Sequence, residues 1–218
     1  LADKNLVYIG TWTTSQVNIG CKGGAIKSVD DISGKKVRGV GAYGKVFGEE
    51  GANMVNMSIY DAYQGLDTGL IDCSQGYSYA VAALKQAEVM DSYTILDWGQ
   101  VGGLGIFMNK DMHDSLTGEQ QETLAEVGAD MADEFGRLIT TANEKAIASM
   151  KEQGVEVITL PEEDRAKLVK AGEKFLDEWV QTASSAGLPG EELLEEYKAL
   201  IAKYTEERDT KGYPWLRG

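Results

Sequence analysis

The side chain best placed for chemistry in this sequence is Arg38. It ends the run Lys35-Lys36-Val37-Arg38 and is followed at once by the glycine-rich Gly39-Val40-Gly41-Ala42-Tyr43-Gly44. A guanidinium at a strand end can hold a carboxylate through two parallel N–H donors. In open α/β sheets, ligands gather at the carboxyl ends of strands. Two other stretches read as strand ends opening into polar or aromatic residues: Ser74-Gln75-Gly76-Tyr77 after Leu70-Ile71, and Asp97-Trp98-Gly99 at the end of 93–99. Together they offer one cation, amide and hydroxyl donors, and aromatic walls. That is the chemistry of a small-anion pocket with no nucleophile. Taken singly, Arg38 is equally compatible with a surface role, and each aromatic with a core role.

Motifs for catalysis are absent. The sequence holds no G-x-S-x-G, no P-loop and no H-E-x-x-H. Gly39, Gly41 and Gly44 fit G-x-G-x-x-G, but the stretch that follows reads Asn53-Met54-Val55-Asn56-Met57 and supplies no acidic partner for a ribose. A dinucleotide cofactor is therefore not expected, nor any other cofactor. One histidine, His113, and two cysteines make a His/Cys metal site improbable. The two cysteines fit one disulfide or two inert thiols, and spacing alone does not choose.

The chain has 218 residues, 43% hydrophobic and 26% charged, which suffices for one large domain or two small ones. Its formal net charge of −14 argues against nucleic acid and anionic membranes as partners. No run of about 18 apolar residues is present, so no transmembrane helix is expected. The chain begins Leu1-Ala2-Asp3, without an initiator Met or a signal peptide, and reads as processed or truncated.

The elements that must position these residues alternate along the chain. Residues 5–10 read as a buried strand, and a second strand is expected near 17–19. Ser28 caps a short turn holding Asp30 and Asp31, Gly34 ends it, and 35–38 form a strand with Val37 inward. A brief helix stops at Gly51 before a strand at 53–57. Ile59, Ala62, Tyr63 and Leu66 share one helical face behind a Ser58 cap, and Gly69 is the stop. Residues 79–91 read as helix, and 93–99 and 104–109 as strands around a Gly-rich crossing. Thr117 and Gln120 then form a capping box for a helix that runs to Gln153, about 55 Å at 1.5 Å per residue. A helix of that length must cross more than one compact unit or join a coiled coil, and Gly128, Gly136 and an imperfect 3.5-residue repeat count against the coiled coil. A strand at 155–160 precedes a helix from Pro161 to about Ala183, with Leu168, Phe175, Leu176 and Trp179 on one face. A last helix covers 190–207. The alternation predicts an α/β fold with a largely parallel sheet.

The order of motifs resembles the TRAP-type solute-binding proteins, receptors of the tripartite ATP-independent periplasmic transporters. "DDISGKKVRG", "GANMVNMSIYDAYQGLDTGLID", "FMNKDMHDSLTGEQQETL" and "MKEQGVEVITLPEEDRAKL" are similar to successive segments of that family and keep their order over nearly the whole chain. The resemblance implies two α/β lobes that close on a ligand, with the long helix behind both. It implies a chain that begins late in the first lobe: 1–10 and 102–141 would be the remnant of that lobe, and 11–101 with 142–218 the second lobe. The remainder would be missing, or supplied by a separate chain.

The resemblance further implies periplasmic capture of a small organic acid for a membrane permease, without catalysis. Arg38 matches the family's carboxylate-binding arginine. Residues 74–77 match a family segment whose Asn contacts ligand, and Gly76 stands in its place. A second basic contact of some members falls near Asn18. These departures point away from dicarboxylates and sialic acids, toward one anionic group on an apolar or aromatic body. The implied contacts are Arg38, Ser74, Gln75, Tyr77, Trp98, Trp12, Asn18 and Tyr43. Cys21 and Cys73 lie near the two departing loops, and an oxidising periplasm would allow a disulfide between them. The rival expectation is a soluble α/β enzyme whose catalytic residues precede this stretch. A receptor that only signals to a membrane sensor is a third.

Overall fold

The computed structural model describes residues 1–99 and 104–217, apart from the side chain of Ala2. The expected domain boundary between 101 and 102, and most of the Gly-rich crossing, lie outside the described residues.

Two sheets organise the described chain. Strands β1 (Leu6–Trp12) and β7 (Leu104–Asn109) pair antiparallel, from Leu6 opposite Asn109 to Trp12 opposite Leu104. β1 is not the buried strand its apolar run suggests. Gly10 alone is buried along it, and Tyr8 and Phe107 stand exposed against each other at a centroid distance of 5.9 Å. One face of this ribbon rests on the long helix and the other is open. The contact is backbone to backbone: a Cβ added at Gly10 would lie 2.8 Å from the Gly128 carbonyl oxygen, and one at Gly128 would collide with that of Ile9.

The second sheet has six strands in the order β4 (Asn53–Val55), β3 (Lys36–Arg38), β5 (Cys73–Gly76), β2 (Asn18–Cys21), β6 (Ser92–Ile95) and β8 (Glu156–Thr159). β3 runs parallel to β4 and β5, and β6 parallel to β8. β2 is antiparallel to both neighbours. Five of the six strands therefore run the same way, as the expected largely parallel sheet requires, and β2 alone is reversed, entering from the end at which its neighbours leave.

Apolar clusters cover both faces. Ile19, Cys21, Val37 and Cys73 meet Val46 and Phe47 of helix α1 (Gly41–Glu49) and Leu168 of a later helix. Tyr93 and Met90 meet Ala62 and Leu66 of α2 (Ala62–Asp67) and Val81 of α3 (Ser78–Ala83) on the other. Cys21 and Cys73, expected near loops, are opposed residues of adjacent central strands and are joined by a disulfide. The glycine turn after Arg38 opens directly into α1. A Cβ at Gly39 would lie 2.7 Å from the Gly44 Cα, so this glycine spacing lets the turn pack on its own helix.

The helix expected over 79–91 breaks after α3 at Lys85, whose φ is +56°, and resumes as a 3-10 turn over Gln86–Val89. A short helix α4 (Lys110–Asp114), unforeseen from the sequence, is capped by Asn109, whose side chain accepts from Asp111 and Met112. The long helix is α5 (Gly118–Glu152), 35 residues. The Thr117 hydroxyl accepts from the Gln120 N–H, the Gln120 side chain returns the bond to Thr117, and Gly154 at φ +86° ends the helix. Its first half lies under β1 and its second half against α3 and β8.

Helix α6 (Glu162–Ser185) buries Leu168 and packs Phe175 against the core, but Leu176 and Trp179 are 43% and 46% exposed. The expected common face fails because α6 runs on past the core, which ends at Phe175. Helix α7 (Gly190–Lys211) packs along α6 and buries Gly190 alone.

Candidate functional site at the strand edge

Strand direction decides which residues converge. β3 and β5 are parallel, so Arg38 and the residues after Gly76 emerge at one edge. β2 is antiparallel to β5 and pairs Asn18 with Gly76, so its first residue reaches the same edge. β6 is antiparallel to β2 and delivers its end there, leading to Asp97 and Trp98. The three strand ends anticipated from the sequence therefore meet.

Arg38 is the anchor of this edge. It is 7% exposed and, among the described residues, the one buried basic side chain. Its Nε donates to the Met57 carbonyl at 3.1 Å and its Nη1 to the Gln75 carbonyl at 2.7 Å. A guanidinium has five N–H donors, so three stay available in a fixed plane. No described carboxylate pairs with it. Burial lowers its pKa, and the nearby Tyr77 phenol works in the opposite direction. The guanidinium nevertheless keeps its charge at neutral pH.

The polar residues 74–76 are not a loop. They form the buried strand β5, in the sheet interior, and the strand starts three residues later than the expected Leu70. Leu70 is 57% exposed. Polar side chains enter such a strand when partners exist, and Gln75 has two. Its Oε1 accepts from the Val40 N–H and its Nε2 donates to the Tyr43 carbonyl, both at 3.3 Å. Gln75 thereby ties the start of α1 to the strand that holds Arg38. Ser74 is the register partner of Arg38, and its buried Oγ has no hydrogen-bond partner among the described residues. Asn18 is also buried. Its Oδ1 accepts from Leu96 at 2.9 Å and its Nδ2 donates to Ser78 Oγ at 3.4 Å. Ser78 Oγ lies 3.1 Å from the Tyr93 hydroxyl, and burial pushes the Tyr93 phenol up to about 12.

Aromatic rings line the rest. Tyr77 stacks on Tyr79 with centroids 5.5 Å apart and planes 9° from parallel. Tyr43 meets Trp98 at 5.0 Å, and Trp98 also meets Phe47 and donates Nε1–H to the Val17 carbonyl. Trp12 sits elsewhere: at the end of β1, in the two-stranded sheet, against Phe135 of α5. Tyr79 went unrecognised in the sequence reading, as did Asn143 of α5, whose side-chain oxygen accepts from the Tyr79 N–H at 3.1 Å. The one signal for Tyr79 was its spacing of two from Tyr77. No cluster of metal-ligating side chains occurs among the described residues.

Known proteins resemble this chain in sequence and fold. The model of the bacterial extracellular solute-binding proteins, family 7, matches residues 1–182. The 2,3-diketo-L-gulonate-binding periplasmic protein YiaO of Escherichia coli is 29% identical over 165 residues, 73% of this chain and 49% of the relative. A solved marine-metagenome TRAP solute-binding protein, specific for aromatic acid ligands and bound to metahydroxyphenylacetate, is 25% identical with a TM-score of 0.80, covering 92% of this chain and 65% of the other. A TRAP periplasmic solute-binding protein from Rhodoferax ferrireducens with bound malonate shares the fold at 20% identity, with a TM-score of 0.79 and coverage of 94% and 65%. The chain thus spans about half the length of the curated relative and about two thirds of the solved ones. No described helix is long and apolar enough to cross a membrane. With the α/β fold and the family match over most of its length, the chain belongs to the periplasmic TRAP-type solute-binding proteins, the extracellular solute-binding proteins of family 7.

Proposed function

We propose that this protein captures a small organic acid by its carboxylate on Arg38 and hands it to the membrane permease of a TRAP transporter for uptake. The observation that carries this reading is a buried guanidinium with three donors available and no described counter-ion. A buried charge without a partner is expensive, and a bound carboxylate removes that expense through a charge-assisted pair. The relatives support the acid: their names carry a diketo-gulonate, a malonate and an aromatic acid. On this reading binding is non-covalent, and the protein is not an enzyme. On the same reading residues 1–10 and 102–141 belong to one lobe of the clamp and 11–101 with 142–218 to the other, so that β1 and α5 each run from the first into the second.

The test is calorimetry on the full-length protein after a thermal-shift screen of organic acids. Arg38→Ala removes one half of a desolvated pair, which costs roughly 2–5 kcal/mol. The expected result is an affinity loss of at least about thirtyfold. Affinity within about twofold of the parent would rule Arg38 out as the anchor. Product formation from a bound acid would favour an enzyme instead.

A further inference from the structure

We propose that the ligand is an aromatic monocarboxylate whose ring lies on the stacked Tyr77–Tyr79 pair while its carboxylate meets Arg38, and that Tyr79 is a specificity-determining residue. This rests on the carboxylate reading above and narrows it.

The anchor and the ring pair are built as one unit. The Gln75 carbonyl holds Nη1 of Arg38 only two residues before Tyr77. Tyr77 then leads into α3, and the Tyr79 N–H is fixed by Asn143 of α5. Two near-parallel stacked rings 5.5 Å apart fix each other's orientation, and a ligand ring would extend the stack on an outer face. The Gln75 side chain brings in Tyr43 through its carbonyl, and Tyr43 in turn is braced by Trp98. The Tyr77 phenol acts electrostatically on Arg38, Tyr43 and Tyr79 alike, which places it at the centre of the group.

Other acids fit this edge less well. A second carboxylate needs a second cation, and Arg38 is the one buried basic side chain described. Asn18 already bonds Leu96 and Ser78. A polyhydroxylated acid needs several fixed polar partners; at this edge Asn18, Gln75 and Ser78 are engaged within the protein, which leaves the Ser74 hydroxyl, unpaired among the described residues, as a single group beside Arg38. A planar apolar body matches the rings instead. Burial pushes the Tyr79 phenol up to about 12, so it stays neutral at physiological pH and can donate to a ring hydroxyl.

Calorimetry on the full-length protein would compare benzoate and phenylacetate with malonate, succinate and galacturonate. The parent should bind one of the aromatic acids at least about tenfold tighter than any of the other three. Tyr79→Leu should weaken the aromatic acid about threefold to tenfold, the worth of one ring contact, and leave the aliphatic acids unchanged. Tyr79→Phe should retain the aromatic preference, and a circular-dichroism melt would show that both variants fold. If malonate, succinate or galacturonate binds as tightly as the aromatic acids, the aromatic assignment falls and the carboxylate reading stands. If Tyr79→Leu folds and weakens all acids equally, or none, Tyr79 does not set specificity. If none of the five acids binds, both readings fall.

Discussion

Gln75 shows how a polar side chain can serve a site without facing it. It is fully buried, and its amide bridges the Val40 N–H and the Tyr43 carbonyl while its own carbonyl steadies Arg38. Gln75→Leu fills similar space but leaves two backbone groups unpaired. The expected loss is about 1–3 kcal/mol of stability by urea unfolding, accompanied by weaker acid binding as Tyr43 and Arg38 lose their common tether. Unchanged stability and affinity would show that water replaces the amide at no cost. This part of the site was only half legible in the sequence. Arg38 and Tyr77 declare themselves by residue type and by place at strand ends. The roles of Gln75 and Asn18 do not, because their partners lie 32 to 78 residues away along the chain. Only the folded sheet brings these groups into register, and it turns two expected ligand contacts into the frame that holds the others.

At the scale of elements, α5 depends on a glycine as much as on its caps. Gly128 lies where β1 crosses the helix, and a methyl group there would meet the Ile9 carbonyl. Two effects oppose each other in Gly128→Ala. Helix propensity favours Ala by up to about 1 kcal/mol. Overpacking against backbone, which cannot rotate away, costs about 1–3 kcal/mol. The clash should win, and the melting temperature should fall; a rise would show that β1 and α5 are not in tight contact. The ends of α5 were legible because their signals are local: the Thr117–Gln120 box and the Gly154 stop span a few residues each. The same holds for Gly34, Gly51 and Gly69, all at positive φ. Strand pairing is not local. The start of β5 was misplaced because Leu70 and Ile71 are apolar and precede polar residues, yet Cys73 and Ser74 are the ones that pair with strands on both sides. The strand expected near 17–19 is β2, but its antiparallel direction was not legible, since that is set by the crossing from β1 and not by its own residues.

The whole molecule is unevenly consolidated. A compact monomer of 23.6 kDa would expose about 9,800 Å², whereas this chain exposes 12734 Å². The excess lies in two places, one of them the end of α6 with α7, where Trp179, Leu193, Ile201 and Tyr204 stand exposed, and the other the two-stranded sheet with the first part of α5. Across β1, β7 and residues 118–145 of α5, the buried positions are Gly10 and Gly128, while Tyr8, Ile106, Phe107, Val127 and Leu138 stand exposed. The six-stranded sheet, by contrast, is packed on both faces and crossed at its centre by the Cys21–Cys73 disulfide. That bond closes a loop of 52 residues, worth about 4 kcal/mol in the chain-entropy account. A region that buries few apolar side chains opens with a small free energy even when its backbone hydrogen bonds are complete. Hydrogen exchange followed by mass spectrometry should therefore separate the chain into two classes. Amides of β1, β7 and the first half of α5 should exchange at least about a hundredfold faster than those of β2, β3, β5 and β6, a gap of roughly 3 kcal/mol. An added acid ligand should slow exchange first at 38–43 and 76–79, where Arg38, Tyr43, Tyr77 and Tyr79 gather. Equal protection across both sheets would mean that α5 couples them into one cooperative unit. The exposed apolar ribbon would then draw its stability from the helix alone.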